Sequence, residues 1–133
     1  MRNLALLLLL ILYVQGGIAF ASPKAGHAWA IGNNTIGNNQ LICTNTIPAP
    51  LTGSTPTGGN GNFTFQWQSS TTSASAGFAD IDGATASGYA PGALSQTHWY
   101  RRIVHSGAES NTSSAIQITT DPMPNVTISY DQS

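Results

Sequence analysis

Charge is what this chain has least of. Of its 133 residues, four are Lys or Arg and five are Asp or Glu. Nucleic-acid binding needs a basic stripe along one face, and so few cations cannot assemble one. The same scarcity argues against holding an anionic membrane surface. There is one cysteine, Cys43, so the chain has no second thiol with which to close its own disulfide. Exported proteins normally pair their cysteines, so a lone one is either a buried small hydrophobe or a thiol whose partner is missing. No segment carries a sustained helical period. The longest apolar run, residues 4–14, is short for a bilayer span.

That run has a different reading. Arg2 supplies a short basic region before it, and Gly16, Gly17 and then Ala19-Phe20-Ala21 follow it. Basic start, apolar centre and small-residue exit are the parts of a secretory signal peptide, cut after Ala21. No cysteine stands at the cleavage point, so a lipid-modified signal is not expected. The chain is therefore expected to be exported, to the cell surface or the extracellular space, with no membrane insertion after cleavage. The remainder sets Lys24, Arg101 and Arg102 against Asp80, Asp82, Glu109, Asp121 and Asp131, three cations against five anions. Its solubility must come from Ser, Thr, Asn, Gln and Gly.

The most informative stretch is residues 58–69, GGNGNFTFQWQS. A Gly/Asn cluster supplies the positive backbone dihedrals of a tight turn. Strict alternation follows, with Phe63, Phe65 and Trp67 on one face and Thr64, Gln66 and Gln68 on the other. A period of two with aromatics on one side predicts a half-buried strand with Trp67 in a core.

Other strands are short. Residues 22–34 read as a small-residue lead-in, loosely ordered at its start. Strands are expected within 36–44, 51–57, 63–69, 78–81, 87–90, 97–105 and 113–120, with Asp82-Gly83 and Gly107 in turns between them. Pro48 and Pro50 interrupt pairing, as at an edge or bend. About seven short strands at close spacing fit an all-β fold, an immunoglobulin-like antiparallel β-sandwich over residues 35–120. Leu41, Ile42, Ile103, Val104, Ile116 and Ile118 are the remaining apolar strand positions, and those facing inward would join the core. Residues 121–133 read as a Pro-containing linker. Its Thr127-Ile128 with Gln132 echoes Thr35-Ile36 with Gln40, as at the start of a second repeat.

Three stretches carry a family resemblance: TIGNNQLIC, PAPLTGSTPTGGNGNFTFQWQSS and FADIDGATASGYAPGALSQTHWYRRIVHSG. In this order they resemble the immunoglobulin-like repeats of large secreted adhesin-type proteins of the Bacteroidetes. The resemblance implies a surface setting and no catalytic residue. It also implies a departure. Such repeats often carry a second Cys after the Ser-Gly that follows the paired arginines. Here Ser106-Gly107-Ala108 leads to Glu109 instead, so the expected partner of Cys43 is absent. A bridge over so long a loop would stabilise by roughly 4 kcal/mol in the chain-entropy account.

Candidate chemistry is thin. His98 and His105 lie on one expected strand at a spacing that puts them on opposite faces, and His27 lies in the lead-in. They do not form a zinc set. Asp80 and Asp82 are too few for calcium, and Asp82-Gly83 is more simply a turn. No Gly-x-Ser-x-Gly elbow is present, and Cys43 has no positive neighbour to activate it. Asn33, Asn62, Asn111 and Asn125 each begin an Asn-x-Ser/Thr triplet. With a bacterial resemblance these read as turn and linker residues. Arg101 and Arg102 are adjacent on a strand, so one faces outward and the other must reach an edge or an acid such as Glu109 or Asp80. Trp99 and Tyr100 alternate with them, so one packs inward and the other, where exposed, could stack on a sugar ring, core or edge packing being the commoner use of such an aromatic. Trp99, Tyr100 and Arg101 are thus the candidate ligand contacts.

The expectation is a non-catalytic module with no cofactor or metal, acting as a structural spacer or adhesion repeat. Its partners would be neighbouring repeats or domains of a longer surface protein, and surface glycans or proteins. The alternative is a carbohydrate-binding module accessory to a secreted enzyme. A secreted hydrolase ranks last, for want of a catalytic constellation.

Overall fold

A computed structural model describes residues 29–122. The expected signal peptide (1–21), most of the lead-in and all but the first two residues of the 121–133 linker lie outside the described residues. The described chain is all-β, with eight strands and no helix. In order these are β1 (Trp29–Gly32), β2 (Gln40–Cys43), β3 (Thr57–Gly59), β4 (Thr64–Ser70), β5 (Ala79–Asp80), β6 (His98–Ser106), β7 (Glu109–Thr112) and β8 (Ile116–Asp121).

The main sheet runs β2-β8-β6-β4-β5, and β7 pairs β6 beyond the end of β8. Its spine is β4 against β6, antiparallel from Thr64↔His105 to Ser70↔Trp99. The smaller sheet is β1 against β3. Three isolated bridges, Ile36↔Gly53, Thr46↔Leu94 and Leu51↔Tyr89, tie the intervening segments together.

Several expectations change. The lead-in contains an ordered strand, β1, because Gly59 can take φ 56° and lie against it. A Cβ at Gly59 would also overlap the Ser106 hydroxyl. The pairing is not wholly antiparallel, since β2 runs parallel to β8 from Gln40↔Ile118 to Cys43↔Asp121. A parallel pair needs a long crossover, and residues 44–115 supply it. The expected strands at 51–57 and 87–90 reduce largely to the Leu51↔Tyr89 bridge, although Thr57 does begin β3. The expected turn at Gly107 is tight, because Ser106 still belongs to β6 and Glu109 already opens β7.

The core gathers Trp67, Tyr100, Ile116 and Ile118 from the main sheet with Leu51, Ala84 and Leu94 from the segments facing it. Ile42 and Tyr89 pack on it from the side. Trp67 is fully buried, and its indole N–H donates to Ala86 O at 3.0 Å, so burial leaves no polar atom stranded. Tyr89 continues the aromatic packing, with ring centroids 6.0 Å from Trp67 and 5.9 Å from Tyr100. Phe63 and Phe65, expected beside Trp67, are only half-buried and stand outside this cluster. The chain opposite them, residues 85–87, stands off β4 and leaves an open groove there. Leu41 is 71% exposed and Ile103 lies on the outer face of β6, so neither joins the core, whereas Val104 is fully buried.

Candidate functional site

Alternation along β6 decides what the expected contact residues can touch. Tyr100, Arg102, Val104 and Ser106 are buried, while Trp99, Arg101, Ile103 and His105 face the other way. Tyr100 is 3% exposed and belongs to the core, which withdraws it from ligand contact. Burial, reinforced by the neighbouring Tyr89 phenol, pushes its pKa up to about 12. Trp99 and Arg101 remain together on the outer face, both half-buried.

Arg101 is held there by neighbours. Its Nε–H donates to Gln68 Oε1 at 2.6 Å, and Gln68 Nε2 donates on to Asp80 Oδ1 at 2.7 Å. Its guanidinium carbon lies 4.1 Å from the centre of the Phe78 ring. The cation is thus coupled to a carboxylate through an amide and stacked on an aromatic face.

Arg102 has no counterpart on the outer face. It is fully buried, and none of its hydrogen-bond acceptors is a carboxylate. Nε donates to Asn34 Oδ1 at 3.0 Å, one terminal nitrogen to Ser87 O at 2.8 Å and the other to Ser54 O at 2.9 Å. Phe65 lies beside it, with 5.0 Å from ring centre to guanidinium carbon. Asn34 also returns a bond, donating from Nδ2 to Arg102 O at 3.2 Å, and to Asn111 O at 2.9 Å. Ser113 Oγ accepts from the Arg102 backbone N–H at 2.9 Å. Burial lowers the pKa of the guanidinium from its ordinary value. The planar fork satisfies three separate backbone or amide oxygens, a task for which arginine geometry is suited. The acid expected for an inward arginine, Glu109 or Asp80, is not used.

Alternation showed that one of the two arginines had to turn inward. Its partners Asn34, Ser54 and Ser87 carry no signal in sequence, because ordinary polar loop residues look alike. Gly53 belongs with them, since a Cβ there would overlap the Arg102 guanidinium.

The second feature is a groove of about 770 Å³ beside the first half of β4, lined by Phe63, Phe65, Thr85, Ala86, Ser87 and His105 among others. Its origin is a divergence of two chain segments. Trp67 N–H donates to Ala84 O, and Trp67 O accepts from Ile81 N–H, both at 2.9 Å. Past Ala84 the neighbouring segment leaves the strand to reach the Trp67 indole and Arg102. Phe65, two residues before Trp67, aims its own N–H and C=O at the same edge and finds no partner among the described residues.

Cys43 is exposed at the end of β2, paired in register with Asp121. Glu109, where the resemblance put a second cysteine, pairs with Ser106 at the other end of β6. The registers separate the two positions by about 30 Å or more along the sheet, far beyond the reach of a disulfide. Asp82 lies in a turn closed by Ala84 N–H on Ile81 O, with Gly83 at φ 69°. Among the described residues, no three His, Cys, Asp or Glu side chains come together as a metal site.

A family model described as a domain of unknown function, DUF8696, matches residues 32–122. The chain belongs to this family. The match runs from the end of β1 to the residue after β8, so it takes in both the Arg102 clamp and the groove. No curated protein and no solved structure matches the chain.

Proposed function

We propose that this DUF8696 chain is an exported, non-catalytic, immunoglobulin-like module that acts as a structural spacer or adhesion repeat. One observation carries the reading: the described chain enters and leaves the fold at opposite ends, and its tension path runs through a shear-loaded ladder. Trp29 pairs with Gly59, next to Asn60, whose N–H donates to Ser106 Oγ at the top of β6. Asp121 leaves beyond the other end of β6, since Ile118 is already opposite His98. Pulling on the two ends draws β2 upward by its first residue and β8 downward by its last. Their hydrogen bonds lie across the strands, so tension along the strands loads the whole β2–β8 ladder at once. Before reaching β2, the force passes Asn34, which is fastened to Arg102.

Further support comes from the order β8-β6-β4 with a buried Trp on β4 packed under Leu51, Ala84 and Leu94, which is what an immunoglobulin-like module would present. The resemblance to adhesin repeats points the same way. A sugar-binding role now has Trp99 as its one aromatic contact, half-buried, with Tyr100 withdrawn.

Single-molecule force spectroscopy tests the reading. Pulled by its two ends, the domain should unfold at a distinctly higher force than when pulled between Asn45 and the C-terminal end, which peels the same ladder bond by bond. Equal forces in the two geometries would remove the mechanical basis of the spacer.

A further inference from the structure

The edge of β4 at Phe65, unpaired among the described residues, is a site of another kind. Phe63 and Phe65 present aromatic side chains to the inner lip of the groove, and Thr64 and Gln66 line it too, their side chains pointing to the opposite face of the sheet. Between the lips lie the backbone N–H and C=O of Phe65, without partners among the described residues. An edge of this form accepts an extended segment by strand addition: main-chain bonds hold it, and alternate side chains meet the two lips.

The occupant should be uncharged, free of proline and alternately apolar and polar. Residues 126–130, Val-Thr-Ile-Ser-Tyr, meet each requirement: Val126, Ile128 and Tyr130 alternate with Thr127 and Ser129. The lead-in residues 22–28, SPKAGHA, do not, since Pro, Lys and Gly are depleted in strands.

The segment cannot come from the same copy. Asp121 lies three residues beyond the His98 level of β6, whereas Phe65 is opposite Val104, six residues to the other side. That offset is about 30 Å along the strands, and crossing from β8 past β6 and β4 adds ~14 Å sideways. The seven residues from Asp121 to Ile128 span at most ~25 Å when fully extended. The intervening edge is also occupied, by β5 and by Ile81 and Ala84.

We propose that residues 126–130 of a second copy of this chain add as a strand to the edge of β4 at Phe65, beside the Phe63 ring. Donor and acceptor are different surfaces, so each copy can give its segment to one neighbour and accept from another. This self-association does not rest on the spacer reading, but it competes with the reading of residues 127–132 as the opening of a second repeat.

The test is sedimentation of the purified full chain over a wide concentration range, with amide exchange read at Phe65. The chain should associate as concentration rises, and the Phe65 amide should become protected with it. Ile128→Pro removes a ladder donor outside the described fold, and Ala86→Asp puts a charge at an exposed position in the groove. Each should abolish both effects, and a synthetic peptide of residues 124–132 should compete with the association. A chain that stays monomeric at every concentration overturns the proposal, whether Phe65 is protected by its own chain or not at all. So does association that survives Ile128→Pro unchanged. Either failure leaves the force measurement to judge the spacer on its own.

Discussion

The Arg102 guanidinium fills the space that a side chain at Gly53 would need. The two are bound by more than contact, because Ser54, the residue after Gly53, accepts from Arg102 at 2.9 Å. The missing side chain is what lets that carbonyl come within reach of the fork.

Gly53→Ala should therefore destabilise the fold by about 1–3 kcal/mol, the usual cost of overpacking a filled interior. Gly92→Ala is the control, since nothing lies near a Cβ there, and it should stay within about 0.5 kcal/mol of the parent. Urea unfolding of both variants checks this. Equal stability would mean that the guanidinium moves aside without cost.

Arg102→Lys should cost about 2–3 kcal/mol despite keeping the charge, because an ammonium cannot reach Asn34, Ser54 and Ser87 from one plane. Arg101→Ala on the outer face should cost no more than about 1 kcal/mol, as its links to Gln68 and Phe78 are only half-buried and none is to a fully buried group. Chemical denaturation of the two variants side by side decides it. Similar losses would deny Arg102 its special place.

Stability should fall between pH 10 and 12. The folded Tyr100 pKa, about 12, lies above the unfolded value of 10.0, so the native state holds the phenolic proton more tightly. The contribution is complete below pH 10 and disappears as pH rises through the folded value. The loss is about 3 kcal/mol across the window. Tyr100→Phe should flatten this part of the stability–pH curve, and the difference between the two curves isolates the phenol from Arg102 and Tyr89. Parallel curves would assign the alkaline loss elsewhere.

Cys43 should react with a thiol reagent in the native protein at nearly the rate of a free cysteine, because it is exposed. Cys43→Ser should change stability by less than about 0.5 kcal/mol. Protection of the thiol until global unfolding would contradict its position at the end of β2.

Much of the main sheet was legible because it obeys a local rule. Trp67 and the β6 pattern follow from a period of two, and one inward arginine had to result from two adjacent ones. The rest is non-local. Asn34, Ser54 and Ser87 reach Arg102 across 68, 48 and 15 positions of chain, and nothing near them in sequence marks them as partners. Leu51 and Leu94 enter the core as single apolar residues in Pro- and Gly-containing segments, where no period exists to be read. Phe65 followed the alternation but not the burial, because burial depends on a segment, 85–87, that diverges from the strand. The parallel β2–β8 pairing was illegible for the same reason: strand direction is a property of the route taken between strands.

That pairing also sets a clock. Gln117 N–H donates to Asn39 Oδ1 across 78 positions, next to where β2 meets β8. The sheet cannot close until almost the entire domain is available to pair. Contacts of such long sequence separation fold slowly, because the loop must be closed before the pairing compensates for it. Until β8 is in place β2 has no ladder partner among the described residues, so the final strand of the described fold is the one that locks the first strand of the main sheet in place.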